Sequence, residues 1–245
     1  MVKANRLNFI CIVIFLLSLG FRILKMIIDP VLLRDSAQYL NMAEVWKNTG
    51  LYSEAIQVGT PVPPLPIFMI KALAATGLSE EMVGRGIALF LGSWIPVIGF
   101  AIIFLIYKRY EIAVITACIL MFNPTLVSFS TQPMRENNYL FFQGIMFYFL
   151  VISIRKGGIT PLVLCGLLCT ASMFCRYEAL ESCFLCPIVY LIVFLYKRIS
   201  LKRFATCVSV FLLSVIISSL VIVFHTESGM VFAKKIPNYF TSTET

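Results

Sequence analysis

The feature that most constrains this chain is a succession of apolar runs, most of them long enough to cross a bilayer as a helix. A hydrocarbon core about 30 Å thick needs about 20 consecutive apolar residues in a helix. The runs cover residues 7–28, 83–107, 111–130, 138–154, 159–175, 180–196 and 204–224. They predict an all-α polytopic membrane protein with about seven transmembrane helices, which form a single transmembrane domain over residues 1–245.

The composition indicates the same class. Hydrophobic residues make up 60% of the chain and charged residues only 13%, whereas soluble domains average about 45–50% apolar and about 25% charged. The net charge of +8 is explained by basic loops between the runs, because cytoplasmic loops of membrane proteins carry an excess of Lys and Arg. No basic patch sits in a soluble module, so no nucleic-acid partner is predicted.

The first outer loop, about residues 29–85, is predicted to carry two juxtamembrane surface helices. In the first, Tyr39, Leu40, Ala43 and Trp46 fall on one helical face, which is typical of a helix lying along the membrane with its tryptophan at headgroup depth. The second follows Pro63 and Pro64. Its apolar run has only about fifteen residues, fewer than a membrane span needs.

Charge counting predicts the topology. If the run after Pro64 is interfacial, every later basic loop lies on the same side as Lys3 and Arg6, as the positive-inside rule requires. We therefore predict a plasma-membrane protein with a cytoplasmic N-terminus and its active face outside. Arg22 and Lys25, near the outer end of the first run, are expected to extend to the interface. The basic loops are Lys108-Arg109, Arg155-Lys156 and Lys197–Arg203.

Charged side chains gather beside the outer ends of the predicted spans. Ionisable residues at such depths are costly and point to function by default. They are Arg34, Asp35, Lys71, Arg135, Glu136, Arg176, Glu178 and Glu181. Their meeting on one face favours a functional site.

Each of these residues also has a purely structural interpretation. Asp35 suits a helix N-cap, and Lys71 suits a side chain that reaches from its helix to the interface. Arg135 and Glu136 suit a solvated loop pair. Arg176 and Glu178 suit a stabilising ion pair, and Glu181 suits the start of a helix, where the dipole favours an acid.

The eight cysteines lie mostly inside apolar runs. They are predicted to be small packing residues rather than a redox or metal site. No cofactor is predicted. A divalent cation held between Asp35 and Glu136 is the alternative, since carboxylate oxygens are ligands for such ions.

Five short motifs, in this order, resemble those of a known family. They are Asp35 in RDSAQYL after the first span, Pro63-Pro64-Leu65 at the surface helix, Arg85 in GRGIALFLG, Glu136 in QPMRENNYLFF, and Arg176-Tyr177-Glu178. The chain resembles the GT-C membrane glycosyltransferases, especially the branch with protein O-mannosyltransferases and aminoarabinose transferases. The resemblance covers the seven-span N-terminal module of that family. It departs at Val62, where many relatives have His or Lys.

The resemblance implies transfer of a sugar from a polyprenyl-phosphate donor to an unidentified protein, glycan or lipid acceptor on the outer face, with inversion. It implies that Asp35 is the general base, Glu136 the second-loop acid and Arg176 the cation on the donor phosphate. Arg34, Lys71, Arg135 and Glu178 complete the predicted substrate-binding set. Relatives continue into further spans and a soluble domain, so the chain is expected to be a fragment, a truncated product or a minimal form.

Two other classes of function remain open. A transporter of small solutes or lipid intermediates uses helices broken at mid-membrane, and Asn123-Pro124 is the candidate break. A non-catalytic, truncated membrane partner is the other alternative.

Overall fold

The computed structural model describes residues 2–58, 62–196 and 198–226. The predicted basic residue Lys197 lies outside these ranges. The helices are α1 (Val2–Ile28), α2 (Arg34–Thr49), α3 (Tyr52–Ala55), α4 (Pro64–Ala74), α5 (Glu80–Tyr107), α6 (Tyr110–Phe122), α7 (Pro124–Ser130), α8 (Arg135–Lys156), α9 (Ile159–Met173), α10 (Glu181–Leu195) and α11 (Leu201–Thr226), with a short 3-10 helix at Tyr177–Leu180. The prediction of an all-helical chain is confirmed for the described residues.

Five helices in the described ranges are long and apolar enough to cross a membrane: α1, α5, α8, the 3-10 helix with α10, and α11. A sixth span results if α6 and α7 are counted together, although the chain bends by 61° between them at Asn123. This break is the one that the sequence indicated. The chain is thus a multi-pass membrane protein, and α9, with 15 residues, is shorter than the other candidates.

Helix α5 is central to the first part of the bundle and packs against α1, α6, α7 and α8. Ser79 caps its N-terminus by accepting a hydrogen bond from the Met82 backbone at 3.3 Å. Farther along, Gly92 lets α7 approach closely, because a methyl group at this position would overlap the side chain of Ser130. A small residue therefore sets the distance between α5 and α7.

The first part of the chain and the later helices share one basic end of the bundle. The Arg6 guanidinium lies 5.7 Å from the centre of the Tyr110 ring. Arg155, in the last turn of α8, donates to the Ile106 carbonyl at 2.6 Å. Arg203, near the start of α11, donates to the α8 backbone at 3.4 Å. These contacts place the predicted basic loops together.

The opposite end, here called the α2 end, holds the linker from α1 to α2 against the starts of α5 and α8. The Gln132 side chain accepts from the Leu33 backbone N–H at 3.2 Å and donates to the Val31 carbonyl at 2.7 Å. Arg85 donates to the Pro30 carbonyl at 2.5 Å. Two side chains thus fix the entry to α2.

Helix α4 lies at the α2 end and is too short to span. It has eleven residues, against about 20 for a span. The Leu65 N–H donates to the Phe174 carbonyl at 3.0 Å, so α4 begins beside the end of α9. Helix α2 packs against it and ends at Gly50, whose φ of 79° is left-handed.

Two local expectations are wrong. Trp46, predicted among lipid headgroups, is 4% exposed and packs 4.8 Å from the Tyr52 ring. Arg22, expected to reach the outer interface, is fully buried and bonds to the Ser18 carbonyl at 3.2 Å. Helical side chains point toward the N-terminus, so Arg22 reaches back to Ser18 of its own helix, which packs against α5 and α7. The Lys25 side chain is 41% exposed and pairs with Asp29 at 3.2 Å.

Candidate functional site

Four charged side chains from two parts of the chain meet at the α2 end. The Glu136 Oε1 atom lies 3.4 Å from Arg135 Nε and 3.6 Å from the Arg176 guanidinium. Arg176 Nε lies 3.2 Å from Glu178 Oε2. The resulting chain of charges joins the start of α8 to the segment after α9. We call these four residues the charge group.

The segment after α9 presents Arg176 in a fixed position. We call residues 174–180 the Arg176 turn. Arg176 has extended backbone (φ −155°) and is followed directly by the 3-10 helix. Its N–H donates to the Ser172 carbonyl at 2.9 Å, and its carbonyl accepts from Ala179 at 3.0 Å. Glu181 then begins α10, as the sequence predicted. Backbone bonds on both sides hold the turn.

Glu136 is the centre of the charge group and is largely shielded from solvent. Its side chain is 14% exposed, and that of Arg135 is 27% exposed. The interpretation of these two residues as a solvated loop pair is therefore wrong: they are the first two residues of α8. Within the described ranges, Glu136 Oε2 is buried without a hydrogen-bond partner. Burying an ionised carboxylate is costly unless it is paired, and the two guanidinium groups provide that pairing.

Tyr39 connects this group to α2. It is 5% exposed, and its burial raises the pKa of its hydroxyl to about 12. The guanidinium groups of Arg135 and Arg176 oppose that rise in pKa, while the carboxylates of Glu136 and Asp35 add to it. The Tyr39 hydroxyl is thus within electrostatic reach of charges from α2, α8 and the Arg176 turn. The sequence placed Tyr39 only on a packing face. The sequence signal that could have placed Tyr39 in the site was its position one helical turn after Asp35.

Asp35 and Arg34 lie in the first turn of α2 and are exposed. The N-cap is Leu33, without a side-chain cap, so the interpretation of Asp35 as the cap is wrong. A carboxylate in the first turn is favoured by the helix dipole. Asp35 therefore presents an accessible carboxylate beside Tyr39.

Lys71 lies apart from the charge group. Its Nζ atom is 4.6 Å from the centre of the Trp46 ring, a cation–π contact. Trp46 follows Asp35 by eleven residues in α2, which corresponds to about 16 Å along the helix. Burial lowers the pKa of Lys71. Of the predicted site residues, Asp35, Arg135, Glu136 and Arg176 are thus within electrostatic reach of Tyr39. Glu178 joins them through Arg176, Arg34 is an exposed neighbour of Asp35 in α2, and Lys71 lies apart.

An apolar groove lies between α8, α9 and α11. Its volume is about 750 Å³. Among its lining residues are Leu65, Phe142, Leu167, Ala171 and Ile217. Ala171 precedes Arg176 by five residues in the chain, so the Arg176 turn follows directly after a helix that lines the groove. The wall is almost wholly aliphatic and aromatic, which suits a hydrocarbon chain.

The chemistry of this arrangement is that of an anion site with a nearby base. A planar guanidinium binds phosphate oxygens bidentately, and an exposed carboxylate can accept a proton. In the described part of the chain, no three His, Cys, Asp or Glu side chains are grouped so as to hold a metal ion. Neither the protein-family models nor the curated protein sequences compared with this chain match it.

Proposed function

We propose that this chain is a GT-C-type membrane glycosyltransferase module, which transfers a sugar from a polyprenyl-phosphate donor to an acceptor hydroxyl with inversion. The observation that carries the proposal is that Glu136 pairs with Arg176 at 3.6 Å at the end of the bundle that also holds α2, where the charges of both residues and that of Asp35 act on the Tyr39 hydroxyl. These are three residues that the family resemblance implies for base, acid and phosphate contact. Asp35 is more than a hundred positions away from both Glu136 and Arg176 in the chain.

Arg176 is the proposed phosphate ligand. Its side chain is 32% exposed, while Glu136 and Glu178 hold it from two sides. The apolar groove lined by α9 and α11 offers a volume of about 750 Å³ for the isoprenoid chain of the donor. Arg135 adds positive charge. Donors preorganised toward developing negative charge are each worth about 2.7–4 kcal/mol in comparable sites.

Asp35 is the proposed general base. It takes the proton from the acceptor hydroxyl as the acceptor oxygen bonds to the anomeric carbon. The bond from that carbon to the phosphate oxygen breaks, and polyprenyl phosphate leaves with the bonding electron pair. The exposure of Asp35 supports this role because an incoming acceptor must reach the carboxylate within about 2.6–3.2 Å.

The proposal includes a seven-span topology with a cytoplasmic N-terminus and the α2 end outside the plasma membrane. Only Gly157 and Gly158 connect α8 to α9, so the two helices run in opposite directions. After α9, Arg176 is again beside Glu136 at the start of α8. The chain therefore returns along α9 to the end of the bundle from which α8 started, which supports α9 as a short membrane span. The Lys and Arg side chains gathered at the basic end support the orientation.

The test uses membranes that contain the full chain and a labelled polyprenyl-phosphate sugar. We expect sugar transfer by the wild type, and loss of transfer with retained donor binding in Asp35→Asn. Glu44→Gln is the matched control, since Glu44 is an exposed acid on the same helix, and it should keep wild-type transfer. Arg176→Ala should weaken donor binding. Wild-type turnover in Asp35→Asn, or no transfer by the wild type, would refute the proposal.

The bend of 61° between α6 and α7 favours a second candidate, a transporter of lipid intermediates, because broken helices form substrate sites in transporters. The test measures whether a fluorescent polyprenyl phosphate moves across the membrane of vesicles that contain the chain. Such movement without sugar transfer would favour this candidate over the first.

A further inference from the structure

Two cysteine thiols face each other between α9 and α10. The Sγ atoms of Cys169 and Cys183 are 3.7 Å apart. One turn deeper in the same antiparallel pair, Cys165 and Cys186 are both fully buried and lie close enough to interact electrostatically. The register of the two helices therefore places further cysteines near each other at the next level. All of them are free thiols in the structure.

The outer pair has a particular position in the chain. Cys169 precedes Arg176 by seven residues, and Cys183 follows it by seven. A bond between the two sulfurs would close a ring around residues 170–182, with the Arg176 turn at its centre. The ring would contain Arg176 and Glu178, two members of the charge group.

We propose that Cys169 and Cys183 are a reversible disulfide site that locks the Arg176 turn. A disulfide needs its sulfurs about 2.0 Å apart, so the two Sγ atoms have to approach by about 1.7 Å. The proposal requires this movement to come from rotation of the half-buried Cys183 side chain. Loss of its contact with Met173 Sδ, at 3.5 Å, is a small penalty because thioether sulfur is a weak acceptor.

The reaction is thiol–disulfide exchange with a disulfide oxidant, either a small molecule or a protein. The Cys183 thiolate attacks one sulfur of the oxidant, breaks its S–S bond and releases the first thiolate. Cys169, which is fully buried, then attacks Cys183 Sγ in the mixed disulfide and releases the second. One S–S bond forms in the protein and one breaks in the oxidant, and the two thiol protons pass to the released thiolates. Exposure fixes the order, because only Cys183 can be reached from outside.

The consequence is restricted motion of the Arg176 turn. Ring closure removes conformations in which the segment after α9 separates from α10. Arg176 and Glu178, whose charged atoms are 3.2 Å apart, are then held within one closed ring. This inference does not depend on sugar transfer and applies to whatever anion Arg176 binds.

The test uses the full chain in lipid nanodiscs, incubated with glutathione buffers of increasing oxidised fraction. Non-reducing proteolysis and mass spectrometry identify the linked peptides. We expect a Cys169–Cys183 link in most of the protein under oxidising buffer and its loss after reduction. Cys169→Ser and Cys183→Ser should remove the link. The matched control Cys118→Ser, at an exposed thiol of α6, should retain it. No link under the most oxidising buffer, or a dominant link between other cysteines, overturns the proposal.

Hydrogen exchange provides the second measurement. In the oxidised wild type, amides of residues 174–180 should exchange at least about threefold more slowly than in the reduced protein. Cys169→Ser, treated identically, should show no such change. Equal exchange in the linked and reduced wild type would overturn the proposed lock even if the bond forms.

Discussion

Removal of the charge on Glu136 tests whether the charge group is an energetic unit. In Glu136→Gln, the side chain keeps its size, but the guanidinium groups of Arg135 and Arg176 lose the carboxylate that separates them. At 3.6 Å and an effective dielectric constant of about 20, one such attraction amounts to about 4–5 kcal/mol before desolvation is subtracted. Loss of one member of a fully buried pair costs about 3–5 kcal/mol.

These side chains are partly solvated, which reduces the effect. Glu136 is 14% exposed and Arg176 is 32% exposed, so the pair lies between the buried case and the exposed case of about 0–1 kcal/mol. We therefore expect Glu136→Gln to lower the free energy of unfolding by about 1–3 kcal/mol. Reversible unfolding in mixed detergent micelles measures this difference.

Glu111→Gln is the matched control. Glu111 is 74% exposed and lies 3.9 Å from Arg109 at the basic end, so its loss should change stability by less than about 0.5 kcal/mol. A double-mutant cycle with Arg176→Ala should give a coupling energy of about 1–2 kcal/mol, since contacting residues are not additive. If Glu136→Gln and Glu111→Gln have equal stability, or if the cycle is additive, the argument for an energetic unit is wrong.

Three further predictions follow from individual side chains. The pKa of Tyr39 is raised to about 12 from an ordinary 10.0, so between these two pH values the folded state keeps a proton that the unfolded state loses. The wild type should therefore lose more stability than Tyr39→Phe as the pH rises from 10 to 12. Unfolding measured as a function of pH checks this difference. Gly92→Ala should lower the melting temperature through overlap with Ser130, at about 1–3 kcal/mol, while Gly86→Ala, with open space around it, should raise it slightly. Arg22→Met should leave the melting temperature unchanged or higher, because Arg22 Nε and Nη2 are buried without partners in the described ranges and apolar replacement of buried charge is neutral or stabilising. Equal melting temperatures for the two glycine variants would contradict the argument on Gly92. A marked drop in the melting temperature of Arg22→Met would contradict the argument on Arg22. Parallel curves of stability against pH for Tyr39→Phe and the wild type would contradict the argument on Tyr39.

The helices were predictable because each apolar run is a local property of the chain. The short α4 followed from counting residues after Pro64, and the break at Asn123 followed from a proline that cannot donate to the helix. Glu181 at a helix start followed from the dipole. In each case, the deciding information lies within about twenty neighbouring positions.

Other features were missed because they depend on which helices meet. Arg22 was expected at an interface, but it is fully buried where α1 packs against other helices. Tyr39 has the pattern of a core residue, and only the approach of α8 and the Arg176 turn surrounds its hydroxyl with charge. The Gln132 contacts with the α1–α2 linker join segments about a hundred residues apart. No local pattern contains such information.

The contacts of Gln132 with the α1–α2 linker also affect the order of events during synthesis. The Val31 carbonyl and Leu33 N–H leave the ribosome long before the amide of Gln132, which bonds both. At about 5–20 residues per second, the ribosome needs roughly 5–20 seconds to add the intervening chain. During this interval, the entry to α2 has no Gln132 to hold it, so nascent chains arrested before and after Gln132 should differ in how readily a protease cuts between α1 and α2.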